Sequence, residues 1–122
     1  MKAIEKRSNA PIFWALFGAG GMLAALLGPA LVFLTGIAVP LGLIFPPDAL
    51  SWPHALAFAR NWAGKAFLFA VVALFLWHAA HRIFHSLHDL GVHAGIAAKL
   101  VCYGFAAAGS LLAAGALLSL GF

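Results

Sequence analysis

From Ile12 to Phe45 the chain runs 34 residues without a charged side chain. A helix of that length would extend roughly 51 Å at 1.5 Å per residue, against a hydrocarbon core about 30 Å thick. One tilted or bent membrane span accounts for such a run. Two spans would need about 40 apolar residues and a turn, and no polar turn interrupts the run. Pro29 and Pro40 mark an expected kink and stop, because each lacks a backbone donor and collides with the preceding turn. Gly28 makes the bend easier.

The remainder of the chain suits the same environment. The chain as a whole is 65% hydrophobic and 8% charged, whereas soluble domains average about 45–50% apolar and about 25% charged. A soluble domain of 122 residues needs a polar exterior, and seven basic plus three acidic side chains cannot supply one. The formal charge of +4 does not indicate nucleic acid, because Lys2, Lys6 and Arg7 cluster at the start and the other basic residues flank apolar runs. That pattern sets membrane topology. The apolar stretch after the basic segment is much longer than a signal-peptide core of about 7–15 residues, so the first span is expected to be retained. Cys102, inside an apolar run with no partner cysteine, is expected to be a small buried hydrophobe.

The spacing predicts an all-α membrane protein with three transmembrane helices, at about 12–39, 62–83 and 97–120. Phe45-Pro46-Pro47-Asp48 breaks the chain into an outer loop of about 45–61. Within it Ser51 is expected to cap a short interfacial helix, with Pro53 in the first turn. Trp52 and Trp62 suit headgroup level. Lys65 and Arg82, near the ends of the second span, are expected to snorkel to water. The polar stretch from His85 to His93 reads as a helix end and a turn, about 85–95, with Gly91 at the left-handed position. Lys2, Lys6, Arg7, Arg82 and Lys99 fall on one side, and Arg60 and Lys65 on the other. The positive-inside rule makes the N-terminus cytoplasmic and the C-terminus periplasmic.

The chemistry-bearing cluster is His78, His81, Arg82, His85 and His88. At 100° per residue the four histidines lie within an arc of about 80°, with Arg82 beside it. Such a stripe near hydrocarbon is costly unless it faces water, a partner or a ligand. The structural alternative is a cationic helix end at the headgroups. Two histidines on one face of one helix cannot reach opposite faces of a haem, so a bis-histidine site would need a histidine from a partner. Gly18-Ala19-Gly20-Gly21 lacks the preceding strand and the spacing of a dinucleotide fingerprint. Its small residues, with Ala24 and Ala25, suit close helix packing. Trp14 and Phe17 share the depth of Arg82 and His85, where an aromatic wall beside basic donors suits a quinone ring. No carboxylate lies within the apolar segments, which argues against a proton-coupled transporter.

Lys6-Arg7-Ser8, Pro11, Phe13-Trp14 and Leu16-Phe17-Gly18-Ala19-Gly20-Gly21-Met22 together resemble the opening of the fumarate reductase D subunit. Pro40-Leu41-Gly42-Leu43, Asp48-Ala49-Leu50-Ser51, Leu56-Ala57-Phe58-Ala59, His81-Arg82 and His88-Asp89-Leu90 agree in order and spacing, so the resemblance covers nearly the whole chain. Asn9 and Ala10 depart from it, standing where relatives carry acidic residues. Phe84 stands where some have a second histidine.

The resemblance implies a non-catalytic membrane anchor in a four-subunit quinol:fumarate reductase of the bacterial inner membrane. A flavoprotein would reduce fumarate to succinate and an iron–sulfur subunit would relay electrons to it. This chain and a second anchor would hold both at the cytoplasmic face, in anaerobic respiration. It also implies that menaquinol is oxidised near Trp14, Phe17, Gly18, Arg82 and His85, with no haem, FAD, iron–sulfur cluster or metal bound by this chain alone. The alternatives are a haem b-binding anchor of a succinate dehydrogenase-like complex and a small helical transporter.

Overall fold

The computed structural model describes residues 10–93 and 95–122. Lys2, Glu5, Lys6, Arg7 and the Lys6-Arg7-Ser8 motif lie outside them, as does the side chain of Phe13. All regular structure among the described residues is helical: α1 (Ala10–Phe33) with a π-helical extension (Leu34–Ala38), α2 (Trp52–Arg60), α3 (Trp62–Asp89) and α4 (Ile96–Ser119). Among the described residues three segments are long and apolar enough to cross a membrane: Trp14–Ala38, Trp62–Asp89 and Ile96–Ser119.

α1 runs continuously through Pro29. The hydrogen-bond register changes later, where Val39 N donates to Leu34 O at 3.0 Å and Leu43 N to Ala38 O at 2.8 Å. Regular helix ends just before Pro40, which has no N–H to continue it. Gly42, at φ +65°, turns the chain toward the loop, a conformation glycine adopts without steric cost.

Ser51 precedes α2, but its side chain does not cap the helix backbone. The hydroxyl meets His54 Nδ1 at 3.1 Å instead. The same ring nitrogen donates to Asp48 O at 2.8 Å, so His54 fastens the loop onto α2. Asn61 then serves two helices. Its N–H closes α2 on Ala57 O, and its side chain accepts from Ala63 N at 2.9 Å, capping α3. A side chain at Gly64 would run into the Phe58 carbonyl, so the α2–α3 corner requires glycine.

α3 extends to Asp89, which corrects the expected turn: His85 and His88 are helical, and the connection begins at Leu90. Gly91, at φ +75°, ends the helix in a Schellman arrangement, with Val92 N on Leu87 O and Gly91 N on His88 O, both at 3.0 Å.

α3 is the central helix, packed against α4, α1 and α2. The contacts are close because small residues let the neighbouring helix approach. A Cβ on Gly20 would lie 2.7 Å from Leu74 O, and one on Gly109 would lie 2.7 Å from Leu76 Cδ1. Ala38, Ala59, Ala73, Ala80 and Ala106 make up most of the buried core, while Ile12, Trp14, Leu111 and Leu112 are 70–80% exposed. Hydrocarbon offers helices no hydrophobic drive to associate, so small-residue packing holds the bundle and large apolar side chains face outward. Cys102 is only half-buried.

Lys65 is a second correction. It does not snorkel to water but is 6% exposed, and its ammonium donates to the carbonyls of Leu117 and Gly121 at the end of α4. Nζ also stands 4.9 Å from the centroid of the Phe122 ring. The reason is the helix end itself. Carbonyls at a helix end lack the regular donor four residues on, and their dipoles favour a cation. Arg60 Nε adds a bond to Leu120 O at 3.0 Å.

Candidate functional site

At the opposite end of the bundle, where α3 ends and α4 begins, all three long helices contribute to one cluster. The 3.6-residue period sets His78, His81, His85 and His88 along one side of α3. α1 is fixed against this stripe by close packing, since a Cβ on Gly21 would lie 2.7 Å from His78 Cε1. His78 Nδ1 lies 3.1 Å from Phe17 O. A carbonyl only accepts, so His78 carries its proton on Nδ1 and donates it to α1.

This bond sets the position of Phe17. Its ring stacks on His81 with centroids 3.9 Å apart and planes 13° from parallel. The His85 ring meets His81 edge-on at 4.3 Å, and His88 continues the row at 6.3 Å from His85. From α4, the Tyr103 hydroxyl lies 3.0 Å from His81 Nδ1. Phe84 at 5.7 Å and Trp77 at 6.1 Å flank the Tyr103 ring. Offset aromatic contacts of this kind each contribute about 0.5–1.5 kcal/mol beyond burial, so the cluster is held from three helices.

Of the five residues anticipated for the quinone, the structure brings Phe17 and His85 into one group, with His81 between them. Trp14 and Gly18 are on α1, and both are exposed. Trp14 is 80% exposed, and nothing lies within 4 Å of where a Gly18 side chain would begin. Arg82 follows His81 on α3 and is exposed. Its charge is unpaired among the described residues, where the only ionic contact is His54 with Asp48 at 4.0 Å. Also among the described residues, no three histidine, cysteine or carboxylate side chains converge as a metal-binding set.

Sequence reasoning gives no particular role to three members of the cluster. In the sequence His78 and His81 are two of four equivalent histidines, and they differ only in what the neighbouring helices offer them. Tyr103, the chain's single tyrosine, lies 22 positions from His81, and no local spacing connects them.

These features define a multi-pass helical membrane protein with a histidine–aromatic cluster at one end of its bundle and an exposed arginine beside it. Residues 4–118 match the model of the fumarate reductase D subunit family. The fumarate reductase D subunits of Vibrio cholerae serotype O1 and Vibrio parahaemolyticus serotype O3:K6 are 46% and 48% identical to the chain, over 108 and 101 residues. The alignments cover 88% and 83% of this chain, and 82% and 80% of those relatives. The protein of the same name from Shewanella sp. strain W3-18-1 is 43% identical over 88% of each chain. The chain belongs to the fumarate reductase D subunit family.

Proposed function

We propose that this chain is a non-catalytic membrane anchor of a four-subunit quinol:fumarate reductase, and that it forms part of the site where menaquinol is oxidised. The anchored partners are a flavoprotein, an iron–sulfur subunit and a second membrane subunit. The complex sits in the bacterial inner membrane, with the N-terminus of this chain and the α3–α4 connection on the cytoplasmic side.

The observation that carries the reading is the stack of Phe17 on His81, with His85 against it and the unpaired Arg82 alongside. Oxidising a quinol releases two electrons and two protons. The site therefore needs donors that hold the quinol oxygens, a group that takes protons, and an apolar slot for the ring. Arg82 donates hydrogen bonds to a quinol oxygen and stabilises negative charge there as the proton leaves. His85 bonds the same ring or carries a proton. Trp14 and Phe17 wall the ring, and the open space at Gly18 lets the ring or the partner helix approach. The electrons pass to the iron–sulfur subunit. The apolar segments hold no carboxylate, and on this reading the partner anchor supplies the final proton acceptor.

The test measures fumarate reduction by membranes carrying Arg82→Leu with His85→Ala, driven in parallel by a menaquinol analogue and by a soluble reducing dye. The quinol-driven rate is expected to fall with the dye-driven rate intact. Equal retention of both rates would remove the quinol site from these residues and leave an anchor alone. Anchoring is tested separately by deleting the chain, which is expected to release dye-driven activity from the membrane into the soluble fraction.

A further inference from the structure

Beside the cluster, on the α4 side, a cleft of about 430 Å³ is lined by Phe17, Trp77, Ile96, Lys99, Leu100 and Tyr103. Its polarity is graded along the bundle axis. Ile96 and Lys99 lie in the first turn of α4, within about 5 Å of the helix start. Tyr103 is one turn deeper. Trp77 stands beside Tyr103, with ring centroids 6.1 Å apart. The mouth thus carries a cation at the level where a spanning helix meets the membrane surface, and the interior is apolar and aromatic.

Among the described residues the charge at the mouth is uncompensated. Among the described residues Lys99 has no carboxylate partner, since the one ionic contact there is His54 with Asp48. It also lies at the start of a helix, where the peptide dipoles already present a positive end. Lys99 is exposed there, where an anionic headgroup can reach it.

We infer that this cleft binds one anionic phospholipid, with its phosphate on Lys99 and an acyl chain running inward past Leu100 and Tyr103 to Trp77. The order of charge, then apolar wall, along the cleft matches the order of headgroup, then chain, in a lipid. Basic recesses between transmembrane helices at a membrane surface recognise anionic headgroups in this way. The bound chain would lie against Phe17, whose ring stacks on His81, so the lipid would form the outer support of the cluster. The inference shares Phe17 with the quinol reading but uses neither Arg82 nor His85, so the two readings can fail separately.

The experiment uses the full chain in phosphatidylcholine vesicles containing increasing fractions of acyl-chain-brominated phosphatidylglycerol, with brominated phosphatidylcholine in parallel. The signal is the quenching of Trp77, isolated by subtracting a Trp77→Phe variant. Brominated phosphatidylglycerol is expected to quench at an about fivefold lower fraction than brominated phosphatidylcholine, as one lysine near the surface supplies. Lys99→Gln is expected to erase that preference, Lys99→Arg to keep it, and Arg60→Gln, at the far end of the bundle, to leave it unchanged. Equal quenching by the two lipids, or an unaltered preference in Lys99→Gln, would overturn the inference. So would displacement by a menaquinol analogue, which would give the cleft to the quinol. Displacement by excess inorganic phosphate would reduce the site to an anion contact and overturn the lipid assignment. Loss of the quenching when the complete complex is reconstituted would show a protein subunit covering the cleft, and would likewise overturn it.

Discussion

The Tyr103 hydroxyl lies 3.0 Å from His81 Nδ1, so the imidazole stacked on Phe17 is held by a helix other than its own. When the phenol donates, Nδ1 is the acceptor and the imidazole proton sits on Nε2, facing away from α4. Tyr103→Phe keeps the ring packing and removes only this bond. A hydrogen bond of this type contributes about 0.5–1.5 kcal/mol net, equivalent to a change of about two- to twelvefold. The quinol-driven rate of fumarate reduction is expected to fall by that factor while the dye-driven rate holds. An unchanged quinol-driven rate would make Tyr103 a packing residue.

Two neighbouring glycines are expected to behave oppositely. Gly20 abuts the Leu74 carbonyl, and a Cβ would stand 2.7 Å from it. Backbone cannot move aside as a flexible side chain can, so Gly20→Val is expected to separate α1 from α3 and destabilise the chain by about 1–3 kcal/mol. At Gly18 nothing lies within 4 Å, so Gly18→Val is expected to leave the folded chain intact and to act only on quinol turnover. Thermal unfolding in detergent, followed by circular dichroism, separates the two. Equal losses would contradict the close approach of α1 to α3 at Gly20.

What is legible in the sequence follows from which forces are local. The three spans come from apolar run length, and Gly91 as the helix terminator comes from a steric preference of one residue. The end of α3 is not legible in the same way, because the polarity of His85 and His88 reads as a turn signal. Both residues continue the helical period, and the true stop is set by the Leu90–Val92 geometry. Lys65 escapes sequence reasoning for a different reason. Its partners are carbonyls 52 and 56 positions away, and backbone acceptors leave no trace in the side-chain pattern. Within the site, Phe17 and His85 are legible as an aromatic and a histidine at one depth. The His81–Tyr103 bond requires the angle between α3 and α4, which no periodicity encodes.

Trp14 separates a structural role from a ligand-binding one. At 80% exposure it contributes little to this chain's own packing, so Trp14→Ala is expected to change stability by no more than about 0.5 kcal/mol. If its ring walls the quinol, the same substitution is expected to raise the KM for a menaquinol analogue about tenfold, equivalent to about 1.4 kcal/mol of contact. A KM within twofold of the parent protein would exclude Trp14 from the site.

Lys65 offers the sharpest test of what holds α4 in register. Its ammonium is buried against the carbonyls of Leu117 and Gly121, and replacing it with methionine keeps the apolar stem while leaving both acceptors without this donor. Leu117 O still accepts from Leu120 N, so Gly121 O is the acceptor that loses its donor, and an unsatisfied acceptor costs about 1–3 kcal/mol. Lys65→Met is therefore expected to lower stability by about that much in a detergent-unfolding titration. The effect should vary little with salt, because buried interactions are weakly screened. Arg60 bonds Leu120 O from an exposed position, where water can replace it, so Arg60→Gln is expected to cost far less. If the two substitutions prove equivalent, Lys65 is not the clamp that its burial implies, and the end of α4 is held by packing against α3 alone.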